Sequence, residues 1–250
     1  MVNSNVHDVV LPSNGCINES YPKVVKMSSL TVAAFKLYST ITKDNVLFVL
    51  KEIVQECCKD NIDVGALKDK DVEFLIMWLR INSAIPGSDH NYTYQRTCKN
   101  GHTSERTVNL SDIQVNQLAD YSEPQKINLQ STGSTLELRL LSIDDEIEIG
   151  DRLLDNPKLK SSVNVLRAAF AINTRLPYEE KLKYINSLTS VEDLAAILDF
   201  LTVFSRWGFS FIDKTVKCDK CDNTGYTSDL FIEWVDEARL DNVYEWIENY

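Results

Sequence analysis

Glycine is scarce in this chain, eight residues in 250, and none of them belongs to a GxGxxG loop, a P-loop or a GxSxG nucleophile elbow. Long apolar runs are missing as well. The longest, Phe74 to Leu79, is far short of the ~20 residues that a membrane-spanning helix needs. Basic residues are outnumbered, 26 Lys and Arg against 37 Asp and Glu, for a formal charge of -11. That balance argues against nucleic acid as a partner, because phosphate binding requires a basic face that displaces counterions. The first fifteen residues, MVNSNVHDVVLPSNG, lack a basic start followed by an apolar segment. No export signal is therefore expected, the protein reads as cytosolic, and the sequons at Asn18, Asn91 and Asn109 carry no meaning. Of the three histidines, His7 and His90 lie in polar, loop-like surroundings and join no ligand motif.

What is present is the composition of an ordinary globular protein, 44% hydrophobic and 25% charged, enough for a buried core and one or two compact domains. Residues 1–28 lack helical periodicity and contain two prolines and the turn-forming LPSNG, so they read as an extended arm with one short strand near Val24 to Met27. A first helical block spans 29–84. Val46, Leu50, Ile53 and Cys57 share one face of a helix from about Lys43 to Lys59, and a second helix, Lys70 to Asn82, follows Asp69 as its N-cap. Within 85–141 the period changes to two: NYTYQRTC and SERTVNL form the arms of a hairpin, and TLELRLL alternates as a half-buried strand. A second helical block, 142–206, carries capping boxes at Ser142 to Asp145 and Ser190 to Asp193, helices over Lys160 to Ile172 and Pro177 to Leu188, and a stripe of Leu194, Leu198, Leu201 and Phe204. Residues 207–250 hold a short β segment and an acidic, aromatic helix near Asp236 to Asn249. The expected class is α+β, predominantly helical, with a small zinc-ribbon-like module built from two sequence-distant hairpins.

Six cysteines without an export signal point to a reducing compartment, where CxxC is more often metal-binding or redox-active than disulfide-bonded. CDKC, Cys218 to Cys221, is one zinc half-site, its two intervening residues letting both thiolates reach one ion. CKNGHTS offers Cys98 and His102 in another Gly-containing turn, and Gly101-His102-Thr103-Ser104 is echoed by Gly225-Tyr226-Thr227-Ser228. Cys98, His102, Cys218 and Cys221 would make a structural Cys3His zinc site joining two hairpins, with three thiolates a poor setting for a strong Lewis acid. Two readings compete with it. His102 is a surface residue of a metal-free relic, or the CxxC belongs to a redox or zinc enzyme; against redox, GYTSDLF continues as a strand where a low-pKa CxxC opens a helix. Cys57 and Cys58 read as small buried hydrophobes. Cys16 has no partner nearby.

The acids Asp144, Asp145, Glu146 and Glu148 occupy the first turns of a helix, where they complement its dipole. Near the C-terminus, Trp234, Tyr244, Trp246 and Tyr250 stand among acids as candidate partner-binding anchors, and core packing explains Trp234 and Trp246 equally well.

In order along the chain come LPSNG (Leu11 to Gly15), LTVAAFKLYS (Leu30 to Ser39), DVGALKDKDVEFLIMWLRINS (Asp63 to Ser83), a Cys-turn hairpin leading to TVNLSDI, and a late CxxC. This set resembles the baseplate hub assembly proteins of T4-like bacteriophages, over most of 11–110 and again at 218–235. The resemblance implies a non-enzymatic, late factor of the host cytoplasm that helps the central hub of a contractile-tail baseplate assemble. It acts either as a chaperone-like catalyst absent from the virion or as a hub subunit, with other hub proteins as partners. In that family the first hairpin commonly carries a cysteine pair; here Cys98 stands alone, with His102 one position further on.

Overall fold

The N-terminal arm, expected to be extended with one short strand, holds both strands of a hairpin. In the computed structural model, which describes residues 6–42, 44–83, 91–109, 113–204, 207–211, 215–222 and 224–226, β1 (Val6–Val10) pairs antiparallel with β2 (Val24–Ser28). Alternation turns Val9, Val25 and Met27 into the core and leaves Val6, Val10 and Val24 outside. LPSNG makes the turn, with Asn14 and Gly15 both at positive φ, the left-handed region that Asn tolerates and Gly adopts freely.

Three helices complete this half of the molecule: α1 (Val32–Tyr38), α2 (Val46–Cys57) and α3 (Asp69–Asn82). Thr31 caps α1 by accepting the Ala34 N–H at 3.0 Å. The expected α2 face appears as Val46, Val49, Leu50, Ile53, Val54 and Cys57, all buried. Asp69 is the first residue of α3, not its N-cap. A β-bridge between Lys68 and Ser142 holds Lys68 extended, so Lys68 takes the cap position and Asp69 complements the dipole from inside the first turn.

Among the described residues the strands form five two-stranded antiparallel sheets. After β3 (Asn91–Thr97) and β4 (Thr103–Asn109), which pair with each other, comes β5 (Ile113–Asn116), and then the hairpin of β6 (Gln125–Asn128) and β7 (Thr135–Leu138). The second helical group is α4 (Ile143–Asp155), α5 (Val163–Ala171), α6 (Tyr178–Ser187) and α7 (Val191–Val203). The residues ahead of α5, Pro157–Ser162, wind as a 3-10 helix with Pro157 at its tolerated first position, and the expected single helix over Lys160 to Ile172 is split there. Pro177 is the N-cap of α6, one position before the site expected for it. Last come β8 (Gly208–Phe211), β9 (Thr215–Lys217) and β10 (Thr224–Tyr226). The helices and small sheets together make an α+β protein. The expected C-terminal helix lies outside the described residues.

The two capping boxes differ. Ser142 and Asp145 form the reciprocal box in full. Ser190 accepts the Asp193 N–H, but the Asp193 carboxylate turns away to accept the N–H groups of Gln130 (2.6 Å) and Ser131 (3.3 Å), and so ties α7 to the β6–β7 turn.

Apolar side chains gather in two clusters. The first joins β1, β2 and α1 to α3 around Leu11, Met27, Val54 and Leu75; the second joins β7 and α4 to α7 around Leu138, Leu166, Ala169 and Ile197. α4 links them, contributing Ile143 to the first and Ile149 to the second, and Tyr21 packs against both.

Polar groups lock the seam. Asp71, fully buried, accepts the Ser13 N–H at 2.9 Å and the Tyr21 hydroxyl at 2.7 Å, while the Tyr21 oxygen accepts the Lys68 N–H at 2.7 Å. Lys68 Nζ meets Glu123 at 2.7 Å and donates to the Leu140 carbonyl at 2.9 Å, and Glu123 accepts the Leu140 N–H at 2.8 Å. The charged groups of this network, Asp71, Lys68 and Glu123, each have hydrogen-bonding partners, whereas the buried Ser13 hydroxyl has none.

Removing the Tyr21 hydroxyl strands the Lys68 N–H and one Asp71 oxygen. Tyr21→Phe is therefore expected to lower stability by about 1–3 kcal/mol, read from the urea midpoint. Burial pushes the Asp71 carboxyl up to about 6 despite the hydrogen bonds that favour its ionised form. A raised folded-state pKa means that this group's contribution is complete below about pH 4 and is lost as pH climbs through 6, a change of at most about 3 kcal/mol. Asp71→Asn should remove that share of the slope. Asp69, Glu73 and Glu146 are also raised by burial, and Asp69 repels Asp71, so the difference between the two pH profiles reports Asp71 together with its effect on Asp69.

Candidate metal centre

The first turn is shaped by one glycine. Between β3 and β4 the chain reverses over Cys98 to His102: the Gly101 N–H donates to the Cys98 carbonyl at 2.8 Å and the Cys98 N–H to the His102 carbonyl at 2.9 Å. Gly101 has φ +77°, which an L side chain rarely adopts. The hydroxyls of Thr97 and Thr103, a cross-strand pair, meet at 3.0 Å just below the turn. In the second turn, between β9 and β10, the Lys220 N–H points at Cys218 Sγ at 3.4 Å, an N–H···S contact that holds the thiol inside its own turn.

What brings the two turns together is the pairing of β5 with β8. Ile113 lies opposite Phe211 and Asn116 opposite Gly208. The chain enters β5 from β4 at the Ile113 end and leaves β8 towards β9 at the Phe211 end. Both hairpins therefore leave the same end of one ribbon. That ribbon is fixed to the body on both sides, with Trp207 buried in the second apolar cluster, Phe209 packed against the first, and the Lys70 side chain lying over Gly208.

At the tips, the ligand atoms of Cys98, His102, Cys218 and Cys221 all lie within 4.8 Å of one another, each side chain half-buried. Cys98 Sγ and Cys221 Sγ are 3.7 Å apart. That is far beyond the ~2.05 Å of a disulfide. It is close to the edge of a tetrahedron with metal–sulfur bonds of ~2.3 Å, about 3.8 Å. His102 Nδ1 is buried and has no hydrogen-bond partner, as fits a nitrogen reserved for a metal. Burial pushes the Cys98 thiol up, but backbone hydrogen bonds at His102 and Asn100 and the neighbouring Cys221 and Cys218 outweigh it and bring it down to about 6, towards the thiolate that binds metal. Lys220 Nζ also reaches across to the Thr103 carbonyl at 3.4 Å, a contact between the hairpins that sequence reasoning missed although the lysine sits inside the CxxC. The four residues could hold a metal ion, and their donor set of three sulfurs and one nitrogen fits one.

The remaining candidates separate from this site. The CxxC lies between two strands and not at a helix start. Cys57 and Cys58 are buried, with thiols pushed up by that burial, and Cys16 donates to the Leu118 carbonyl at 3.4 Å. The four acids of α4 point at different cations: Asp144 at Lys51, Asp145 at Arg139, Glu146 at Arg167 and Glu148 at Arg152. His7 packs on the Trp78 ring, centroids 5.7 Å apart. His90, Trp234, Tyr244, Trp246 and Tyr250 lie outside the described residues.

No helix among the described residues is long and apolar enough to cross a membrane. No curated protein and no solved structure matches the chain. Residues 5–231 match the family described as T4 bacteriophage base plate protein. That span takes in both apolar clusters and both hairpins of the metal centre, and the chain belongs to this family of phage baseplate proteins.

Proposed function

We propose that the protein is a non-enzymatic assembly factor for the central hub of a contractile-tail baseplate, working in the host cytoplasm through contacts with other hub proteins. The observation that carries the baseplate role is the family match over 5–231. The assembly role rests on the resemblance of LPSNG, LTVAAFKLYS and the Asp63 to Ser83 block to hub assembly proteins. Aromatic residues among acids at Trp234, Tyr244, Trp246 and Tyr250 supply the kind of side chain that anchors interfaces.

The metal in this reading is a structural zinc. Three thiolates and one imidazole favour a soft or borderline ion, and four protein ligands leave no open position for a reacting group. Its work is to join two turns whose cysteines lie 123 residues apart in sequence, Cys98 and Cys221.

Two measurements follow. Protein purified without chelator should carry about one zinc per chain; Cys218→Ser should lose it with a fall in Tm, and His102→Ala should weaken it by more than the roughly 10–100-fold of a merely supporting residue. A metal-free wild type sinks the zinc reading. For the assembly role, co-expression should give a complex with a hub component, and mass spectrometry of finished tails should not find the protein. Stoichiometric retention in tails makes it a hub subunit instead, and intact hubs in its absence contradict both roles.

A further inference from the structure

We propose that the clamp between the hairpins has a second, covalent form, in which oxidation by a hydroperoxide links Cys98 to Cys221 as a disulfide, expels the metal and keeps the two turns joined. This rests on reading the four residues as a metal site, and adds a redox control to it.

The geometry selects the pair. Cys98 Sγ and Cys221 Sγ face each other across the hairpins at 3.7 Å, so a shift of under about 2 Å brings them to bonding distance. Cys218 Sγ, within 4.8 Å of the same atoms, accepts the Lys220 N–H in its own turn. Lys99, Asn100 and Gly101 on one side and Asp219, Lys220 and Asp222 on the other are exposed, which leaves a path for a small oxidant. The other three cysteines are poorly placed: Cys57 and Cys58 are buried, and the Cys16 thiol is engaged by the Leu118 carbonyl.

The chemistry balances with a hydroperoxide as the two-electron oxidant. One thiolate attacks the terminal peroxide oxygen, the O–O bond breaks, and a sulfenic acid and the hydroxide or alkoxide leaving group are formed. The second thiolate attacks the sulfenic sulfur, the S–S bond forms and hydroxide leaves. Two sulfurs give up one electron each, and solvent protons neutralise the two anions. Only His102 and Cys218 then remain as ligands, half of what a structural zinc requires. The mechanical join survives the exchange.

The test uses the full chain, zinc-loaded, treated with one equivalent of hydrogen peroxide, with zinc release followed by a chelating dye and disulfides mapped by mass spectrometry. Expected are a Cys98–Cys221 linked peptide, zinc released in step with it, and reversal by a thiol reductant plus zinc. The same treatment of chelator-stripped chain should also yield the Cys98–Cys221 link, so a protein that never carries zinc defeats the metal reading without hiding this one. A link within the CxxC, or sulfinic acids without any link between the hairpins, overturns the proposal. Cys98→Ser should abolish the inter-hairpin link while Cys16, Cys57 and Cys58 stay reduced in both proteins; oxidation of those three first would overturn it as well.

Discussion

Four residues on each of two short strands, Ile113 to Asn116 against Phe211 to Gly208, decide whether this protein has a metal site at all. Bringing together groups more than a hundred residues apart costs roughly 4–5 kcal/mol in chain entropy if nothing has closed the loop beforehand. The β5–β8 ribbon closes it. Once the roots of both hairpins leave one end of that ribbon, only the short excursions through β3–β4 and β9–β10 still have to be ordered for the tips to meet. A metal held at the tips would close the module at the end opposite the paired roots.

The ribbon depends in turn on the body. Trp207 and Phe209 anchor β8 in different apolar clusters, and α4 and Tyr21 hold those clusters to each other. At this seam the hydrogen bonds of Asp71, Lys68 and Glu123 fix one arrangement of the LPSNG turn, α3 and the β7–α4 junction. Loss of a partner there would leave a buried charge uncompensated, a larger penalty than a trimmed apolar contact at the surface.

Features governed by neighbours in sequence are legible without a structure. The α2 face, the capping box at Ser142 and the turn chemistry of Cys98-Lys-Asn-Gly-His102 each follow from residues within four or five positions of one another. Features governed by distant partners are not. Asp193 fits a capping box as well as Asp145 does, yet Gln130 and Ser131 offer its carboxylate N–H groups that Ser190 cannot match. Asp69 has the chemistry of an N-cap, but the bridge from Lys68 to Ser142 moves the boundary by one residue. IQVN and GFSF carry no pairing signal of their own, so the ribbon that aligns the hairpins cannot be read in advance. The ligand set itself was within reach because the two glycine-containing turns echo each other, whereas the freedom of His102 Nδ1 is a property of its burial.

Membership in the phage baseplate family gives the protein its setting, and the hairpin clamp is the feature within it that is most open to direct measurement. X-ray absorption at the zinc edge, on full-length protein purified without chelator, reports the ligand set in one spectrum. The account predicts three sulfurs at about 2.3 Å and one nitrogen at about 2.0 Å. A shell of oxygen and nitrogen ligands, a four-sulfur shell, or no bound zinc would contradict it.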